Sequence, residues 1–570
     1  MRPTGETWLG AAAPLALPAE PVPDLVDVVL IVHVRCPVVA FIEDERSTEL
    51  VIFGSTMRFK RRFVVGHGVE QGPALTTREI VAAALERALL ALLVGGTLLV
   101  VWHGIISTHP GEGFDSAAHI EYADVLAQGR LPREADTYEF ASPPAFHWLT
   151  VRVENAAADA RGSASPAQTY GWPVRLIWLA LLVLGAALTA VGGRLLRGGG
   201  LALVLAAAVL AVVHAGAHAV ATPWRSGQLV AAAATAVLLA CTWLLGRVVW
   251  PRSRVLPLVA VAAVAALPIV PRLGVMFHPE MPFAALAALA LVTFARAAAS
   301  GWRVAWAWPL GALLGAAALT RQTAVALALG LALVALLALR RDAVRFFAAT
   351  GAALLLLAGP WWVHQALRYG NPLQANVERE GYLREGGQPR SFYVSFPVVD
   401  LVLHPYRPAF QNELLPQFHA DLWSDWFGGQ HGYWGEPRPH ATLFASTQSV
   451  LGFGATLLGL GGMATFGARA LTALRRHGRA AAAGDVVLAA ALVVAALTWL
   501  AFLVTLVRFP QEEGDPIKSS YMLFAAPLWV LALVAAGERL WRRGTWSRAA
   551  LVVWCGLYLV SYTGYLATSW

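Results

Sequence analysis

Apolar runs of about the length of a membrane span recur along most of the chain. From Leu89 onwards they are rich in Ala, Val and Leu, and short polar or arginine-bearing segments separate them. A helix needs about 20 mainly apolar residues to cross the hydrocarbon core, so the pattern predicts an all-α integral membrane protein with about thirteen transmembrane helices. The predicted spans lie near 89–107, 176–192, 201–221, 228–245, 255–270, 283–295, 304–320, 323–339, 346–364, 446–466, 485–507, 521–537 and 550–566.

The arginines between these runs predict the orientation of the chain. They cluster in alternate loops, and by the positive-inside rule those loops and the N-terminus are cytoplasmic. The net charge of +8 could indicate a nucleic-acid partner, but the basic residues lie at the ends of apolar runs, which favours membrane orientation instead and no nucleic acid. The segments predicted to face outside are 108–175, 222–227, 271–282, 321–322, 365–445 and 508–520.

The first outside loop predicts a short helix. Asp115 can cap its start, and Gly129 and Pro132 follow its end. We expect this amphipathic helix to lie along the membrane surface with its polar face towards the aqueous side. Asp115 then stands at the helix start, one turn before His119. The apolar stripe of the helix consists of Ala118, Tyr122, Val125 and Leu126.

Residues 1–80 differ from the rest, and we assign the transmembrane domain to residues 81–570. The apolar run 28–42 is broken by Arg35 and Pro37 and falls short of a span. Two interpretations remain open for residues 1–80, a disordered cytoplasmic tail or a start codon assigned too early. The three cysteines lie far apart and indicate neither a disulfide framework nor a zinc site.

The long outside loop 365–445 is dense in aromatic residues. Trp423 lies there between Asp421 and Asp425. Aromatic faces suit sugar rings, and they equally suit the lipid interface. Binding of a sugar or lipid chain and an interfacial aromatic belt both remain open.

Three short motifs stand out along the chain. They are Gly113-Phe114-Asp115 with Gly129-Arg130-Leu131-Pro132 and Pro143-Pro144, Leu319-Thr320-Arg321-Gln322, and Ile517-Lys518-Ser519-Ser520-Tyr521 before Pro527. These motifs, within a likeness that covers roughly residues 85–570, resemble the GT-C class of multi-span glycosyltransferases that use lipid-linked sugars. This class includes protein O-mannosyltransferases and bacterial aminoarabinose transferases. The usual adjacent pair of acids in the first loop is absent, which leaves a second role open for Glu112 or Glu121.

The resemblance implies transfer of a sugar from a polyprenyl-phosphate donor to a glycan, lipid or protein acceptor. The reaction would take place at the outer face of the plasma membrane, in a bacterial cell envelope. Displacement at the anomeric carbon needs a base for the acceptor hydroxyl and cations for the departing phosphate. Asp115 is the candidate base, with a plain helix cap as the alternative. Arg321, Lys518 and Arg272 are the candidate phosphate ligands, with solvated loop charges or lipid anchors as the alternative.

Lys518 is notable because only it and Lys60 are lysines among 43 basic residues. Asp115 and His119 could share a divalent ion with Glu280, but no cofactor is certain and metal use remains open. His214 and His218 form a further i, i+4 pair. The remaining candidates for acceptor or substrate binding are Glu112, His119, Tyr122, His278, Glu280, Asp421, Asp425, Trp423 and Tyr521.

Two functions from other classes compete with the enzyme. The sequence has no Walker motif and no hydrolase motif in a fitting context, so ATP-driven transport and common hydrolases lack support. A transporter or flippase of a lipid-linked glycan would need charged or broken spans near the midplane. A non-enzymatic scaffold that binds cell-wall polymer would tolerate the loss of Asp115.

Overall fold

The computed structural model describes residues 40–44, 47–52, 55–60, 77–163, 222–340, 343–376, 383–406, 413–424, 439–511 and 517–569. The chain divides into two units, Met1–Ala74 and Leu75–Trp570. The first contains an antiparallel three-stranded sheet in the order β1-β2-β3. Its strands are β1 Ala40–Asp44, β2 Ser47–Ile52 and β3 Ser55–Lys60, with Ala40 opposite Val51 and Ser47 opposite Lys60. These strands were not predicted from the sequence.

The described part of the second unit consists of helices and the loops between them. A five-residue π-helical turn, Met463–Gly467, joins two of them, and a 3-10 helix, Ser519–Ala525, precedes another. The α-helices are α1 Thr77–Ser107, α2 Ser116–Ala127, α3 Ala145–Ser163, α4 Arg225–Val249, α5 Val255–Ala265, α6 Ile269–Val275, α7 Glu280–Ala299, α8 Ala307–Ala318, α9 Ala324–Leu339, α10 Ala343–Tyr369, α11 Arg390–Val394, α12 Val398–Leu403, α13 Leu414–Trp423, α14 Pro439–Gly462, α15 Ala468–His477, α16 Ala483–Arg508, α17 Ala526–Trp541 and α18 Thr545–Ser569.

Many of these helices can cross a membrane. Within the described ranges, eight are long and apolar enough, and α5 with α6 adds a ninth if that pair, bent by 62°, is one span. Two shorter apolar helices are Val304–Ala318 and Ala324–Leu339. Together they account for every predicted span except 176–192 and 201–221, which lie outside the described residues, as do His214 and His218. The predicted all-α membrane domain is therefore confirmed where the structure describes it, and its orientation stays a prediction.

Small residues let the helices around the site approach closely. A Cβ atom at Gly311 of α8 would collide with the carbonyl oxygen of Thr350 in α10, so the two helices are in contact there. A Cβ atom at Gly227 of α4 would enter the ring of Phe277, the residue before His278. Such contacts are typical of helices that associate in lipid, where small residues bring backbones together. They hold the loops that follow α6 and α8 in place.

The predicted helix of the first loop is confirmed as α2. Its residues Ala118, Tyr122 and Val125 are buried, and Gly129 with φ 84° follows the helix end. The apolar face packs against Phe146 of α3 within a small buried cluster that also contains Phe277. This face therefore contacts protein, a partner that the amphipathic pattern alone could not specify.

Candidate active site

Asp115 immediately precedes α2 and adopts an unusual backbone conformation. Its φ of 60° lies in the left-handed region, which is uncommon for residues other than glycine and costs about 1–3 kcal/mol. The side chain forms no capping hydrogen bond. Instead, Oδ1 accepts a hydrogen bond from the Tyr138 hydroxyl, and Oδ2 forms an ion pair with Lys518. The capping alternative therefore does not describe this carboxylate.

The Asp115–Lys518 pair is largely withdrawn from water. The Lys518 side chain is 6% exposed and that of Asp115 is 17% exposed. The Lys518 ammonium also lies 4.9 Å from the centroid of the Phe114 ring, a cation–π contact. Burial acts to raise the pKa of Asp115, but the charge of Lys518 and the contact with His278 outweigh it and hold this pKa well below its usual range. Asp115 is thus ionised at neutral pH.

His278 approaches the same carboxylate from the loop between α6 and α7. Its Nδ1 accepts a hydrogen bond from the backbone N–H of Glu280 at 3.3 Å, so the proton of the neutral ring resides on Nε2. Nε2 lies 3.8 Å from Asp115 Oδ2. Burial lowers the pKa of His278 to about 4, despite the favourable charge of Asp115. A neutral imidazole therefore presents its N–H to the carboxylate.

Arg321 lies in the turn between α8 and α9 and pairs with Glu280. The guanidinium is 2.6 Å from the carboxylate and 5.3 Å from the centroid of the Tyr521 ring. Glu280 is fully buried, whereas 15% of the Arg321 side chain is exposed. Arg321 and Lys518 both contribute to lowering the pKa of His278, after burial, so the two cations act on the same small region. Arg321 is therefore a mostly buried cation beside the Asp115–Lys518 pair.

Arg272 and Asp421 form a separate buried ion pair of 2.5 Å. The Arg272 side chain is 3% exposed and that of Asp421 is 0% exposed. The second oxygen of Asp421 accepts hydrogen bonds from the N–H and the hydroxyl of Ser519, both at 2.7 Å. The predicted roles of Arg272 as a phosphate ligand and Asp421 as a substrate ligand remain predictions, and in this state the two residues bind each other.

A second polar cluster adjoins the first and was missed in the sequence. Glu139 is buried and accepts hydrogen bonds from the Ser142 hydroxyl and, at 2.7 Å, from the Asn376 amide. Its Oε2 lies 4.0 Å from His119 Nδ1, which is 3.1 Å from His147 Nε2. Burial and the charge of Asp115 raise the pKa of Glu139, whereas burial lowers the pKa of His147 to about 3.

The sequence held one signal for this cluster. Glu139 is an acid shortly before the Pro143-Pro144 pair in a loop already singled out, and Tyr138 precedes it. No local pattern marks Asn376, which lies 237 residues from Glu139. Its contact with Glu139 joins the segment after α10 to the segment between α2 and α3.

Other predicted residues lie outside this cluster or beside it. Glu112 is exposed and accepts a hydrogen bond from the His109 N–H at 3.0 Å. Tyr122 stacks on His147, with ring centroids 4.0 Å apart. Trp423 is buried and donates a hydrogen bond to Thr456 at 2.8 Å. Asp425 lies outside the described residues.

The three candidate metal ligands are not assembled as a metal site. Within the described part of the chain, no group of three or more His, Cys, Asp or Glu side chains could hold a metal ion. The three candidate ligands bind other partners instead. Asp115 pairs with Lys518, Glu280 pairs with Arg321, and the Nδ1 atom of His119 faces His147.

Chemically, the site offers an ionised carboxylate next to two cations. Asp115 can accept a proton, and Lys518 and Arg321 can bind an anion. Residues from four separate loops meet here, and Asp115 and Lys518 are 403 residues apart in the chain.

Comparison with known proteins identifies no family. No family model matches the chain, and no curated protein matches it. Two solved structures of the Archaeoglobus fulgidus oligosaccharyltransferase are similar to it. The apo form has a TM-score of 0.42 with 14% identity, and the form tethered to an acceptor peptide containing the NVT sequon has a TM-score of 0.39 with 13% identity. The alignments cover 87% of this chain but 56% and 55% of those chains, so this chain spans about half their length. At these values the similarity assigns no activity.

Proposed function

We propose that the protein is an integral-membrane glycosyltransferase that takes its sugar from a polyprenyl-phosphate donor at the outer face of the membrane. The observation that carries the proposal is the Asp115–Lys518 ion pair, with the Arg321–Glu280 pair close by. A base and two phosphate-binding cations are the groups that transfer from a sugar phosphate requires. The acceptor is a hydroxyl-bearing glycan, lipid or protein.

These groups account for each bond, proton and electron pair that changes in the transfer. The acceptor oxygen forms a bond to the anomeric carbon, and the bond from that carbon to the phosphate oxygen breaks. The acceptor proton passes to Asp115, and the electron pair leaves with the polyprenyl phosphate. Lys518 offers a point charge and Arg321 a planar fork to the phosphate oxygens, whose negative charge grows as the bond breaks. Phosphate is already a good leaving group, so a strong general acid is not needed.

Donor binding and base activation are coupled in this scheme. Without donor, Lys518 keeps the pKa of Asp115 low, and a carboxylate with a low pKa is a weak base. A donor phosphate competes for the same ammonium. As Lys518 turns to the phosphate, Asp115 loses part of its counter-charge and its pKa rises. The base therefore strengthens when the donor is in place, while the Tyr138 hydroxyl keeps the carboxylate oriented.

The test is sugar transfer from a panel of labelled polyprenyl-phosphate sugars into membranes that carry the wild type or Asp115→Asn. A lost general base costs about 10²–10⁴-fold in rate, so we expect Asp115→Asn to lose at least about 100-fold. Asp124→Asn, the same change at an exposed position of α2, is the matched control and should transfer at the wild-type rate.

Equal transfer by Asp115→Asn and wild type would disprove the role of the base. A scaffold would tolerate Asp115→Asn and transfer no sugar at all. A flippase would move the lipid-linked sugar across the membrane and leave its bond to phosphate intact.

A further inference from the structure

We propose that the buried Arg272–Asp421 pair is a positioning device that sets Lys518 beside Asp115. The inference deepens the proposed function, since it rests on Lys518 and Asp115 as the working groups of the site. It assigns Arg272 and Asp421 a role that requires no contact with substrate.

The Arg272–Asp421 pair is connected to Lys518 through Ser519. Asp421 binds Arg272 through Oδ1 and uses Oδ2 for both the N–H and the hydroxyl of Ser519. Ser519 directly follows Lys518 and begins the 3-10 helix Ser519–Ala525. The carboxylate thus fixes the backbone at the point where the Lys518 side chain leaves it. Hydrogen bonds to an ionised acceptor are among the strong ones in proteins.

The Arg272–Asp421 pair is connected to Asp115 through Phe114. The Arg272 guanidinium lies 5.9 Å from the centroid of this ring, and the Lys518 ammonium lies 4.9 Å from the same centroid. Phe114 is buried and directly precedes Asp115. Arg272 therefore contacts the segment that carries Asp115 and, through Asp421 and Ser519, holds the segment that carries Lys518. Both halves of the working ion pair depend on one buried arginine.

Neither ligand binding nor simple stability explains this arrangement as well. Asp421 is 0% exposed and both of its oxygens are bound, so a substrate has no access to them. A buried ion pair often stabilises a protein no better than apolar residues of similar volume. Accurate placement of a reacting group, by contrast, has a large effect, because a shift of about 1 Å can cost about 100-fold in rate.

The chain offers a direct readout, since Lys518 and Lys60 are its two lysines. The full-length protein is treated with a small amine-acylating reagent, and the extent of acylation at each lysine is measured by mass spectrometry. Lys60, in the other unit, is the internal reference. Ser519→Ala removes one hydrogen bond to Asp421, and we expect the Lys518-to-Lys60 acylation ratio to rise about fivefold.

Two further variants keep the test decisive. Ser520→Ala removes the neighbouring buried hydroxyl, which has no hydrogen-bond partner among the described residues, and should leave the ratio at the wild-type value. The double variant Arg272→Met, Asp421→Leu retains apolar volume in place of the ion pair. It should stay folded and show a ratio at least as high as that of Ser519→Ala. An unchanged ratio in both Ser519→Ala and the folded double variant would overturn the proposal, as would an equal rise in Ser520→Ala.

The acylation ratio does not depend on glycosyl transfer, so the two proposals fail separately. An inactive wild type with the expected ratios refutes the proposed function and supports the positioning role. An active wild type with unchanged ratios refutes the positioning role and supports the proposed function. In active protein, Ser519→Ala should also move the acid limb of the kcat/KM profile to higher pH, because a displaced Lys518 no longer holds the pKa of Asp115 down.

Discussion

The Asp115–Lys518 pair predicts strongly non-additive effects of mutation on stability. Lys518→Met leaves a carboxylate that is only 17% exposed without its counter-ion. Removing one partner of a buried ion pair costs about 3–5 kcal/mol. The Tyr138 hydroxyl still donates to Asp115, so we expect the lower end, about 3 kcal/mol. The double variant Asp115→Asn, Lys518→Met removes both charges and should be more stable than the sum of the single effects predicts, by about 2 kcal/mol.

The assay is a double-mutant cycle of unfolding free energies, measured on detergent-solubilised protein. The pair of Arg130 and Asp136, at 2.6 Å in the same loop, is the control, and its arginine is 44% exposed. Solvent screens the Arg130 guanidinium, so this cycle should show a coupling of at most about 1 kcal/mol. Additivity at Asp115 and Lys518 within about 0.5 kcal/mol would refute the reasoning, as would a coupling no larger than that of the control.

Three further predictions concern the same site. Arg321→Gln should raise the donor concentration needed for half-maximal transfer about 10–100-fold, because it removes charge-assisted hydrogen bonds to the phosphate. In the same donor titration, Arg321→Lys should require a concentration between those of Arg321→Gln and the wild type. Tyr138→Phe removes one donor to Asp115 and should lower kcat about tenfold with donor KM unchanged; an effect on KM alone would contradict this. The lowered pKa of Asp115 contributes stability above the unfolded value of about 4, and this contribution is lost as the pH falls below about 4 towards the folded pKa. Denaturant titrations should therefore show a steeper acid loss in the wild type than in Asp115→Asn.

The membrane helices were predictable because their signal is local. Most of the apolar runs are long enough to identify a span by themselves, and α2 is bounded by its own turn residues. The short segments 271–282 and 321–322 hold few charges, so Arg321 and His278 could be singled out from the sequence, and Lys518 stood out as one of two lysines. The three strands of residues 40–60 were missed because that region was interpreted only by its failure to form a span.

The pairings inside the site were not predictable. The helix faces that bring loops together are mostly Ala, Val and Leu, and such faces carry little information about which helix contacts which. The sequence therefore suggested that Arg272 and Asp421 bind substrate, although the fold places them against each other. Glu139 illustrates the same limit, because its partner Asn376 belongs to a distant loop.

The most direct test of the central claim is whether a lipid-linked phosphate binds at Lys518. Acylation of Lys518 relative to Lys60 is measured with increasing polyprenyl phosphate and, in parallel, with the polyprenol of the same chain length. The account predicts that the phosphate slows acylation of Lys518, that the alcohol does not, and that Arg321→Gln requires about tenfold more phosphate. Equal protection by the alcohol, or no protection by the phosphate, would contradict the assignment of this cluster as the donor site.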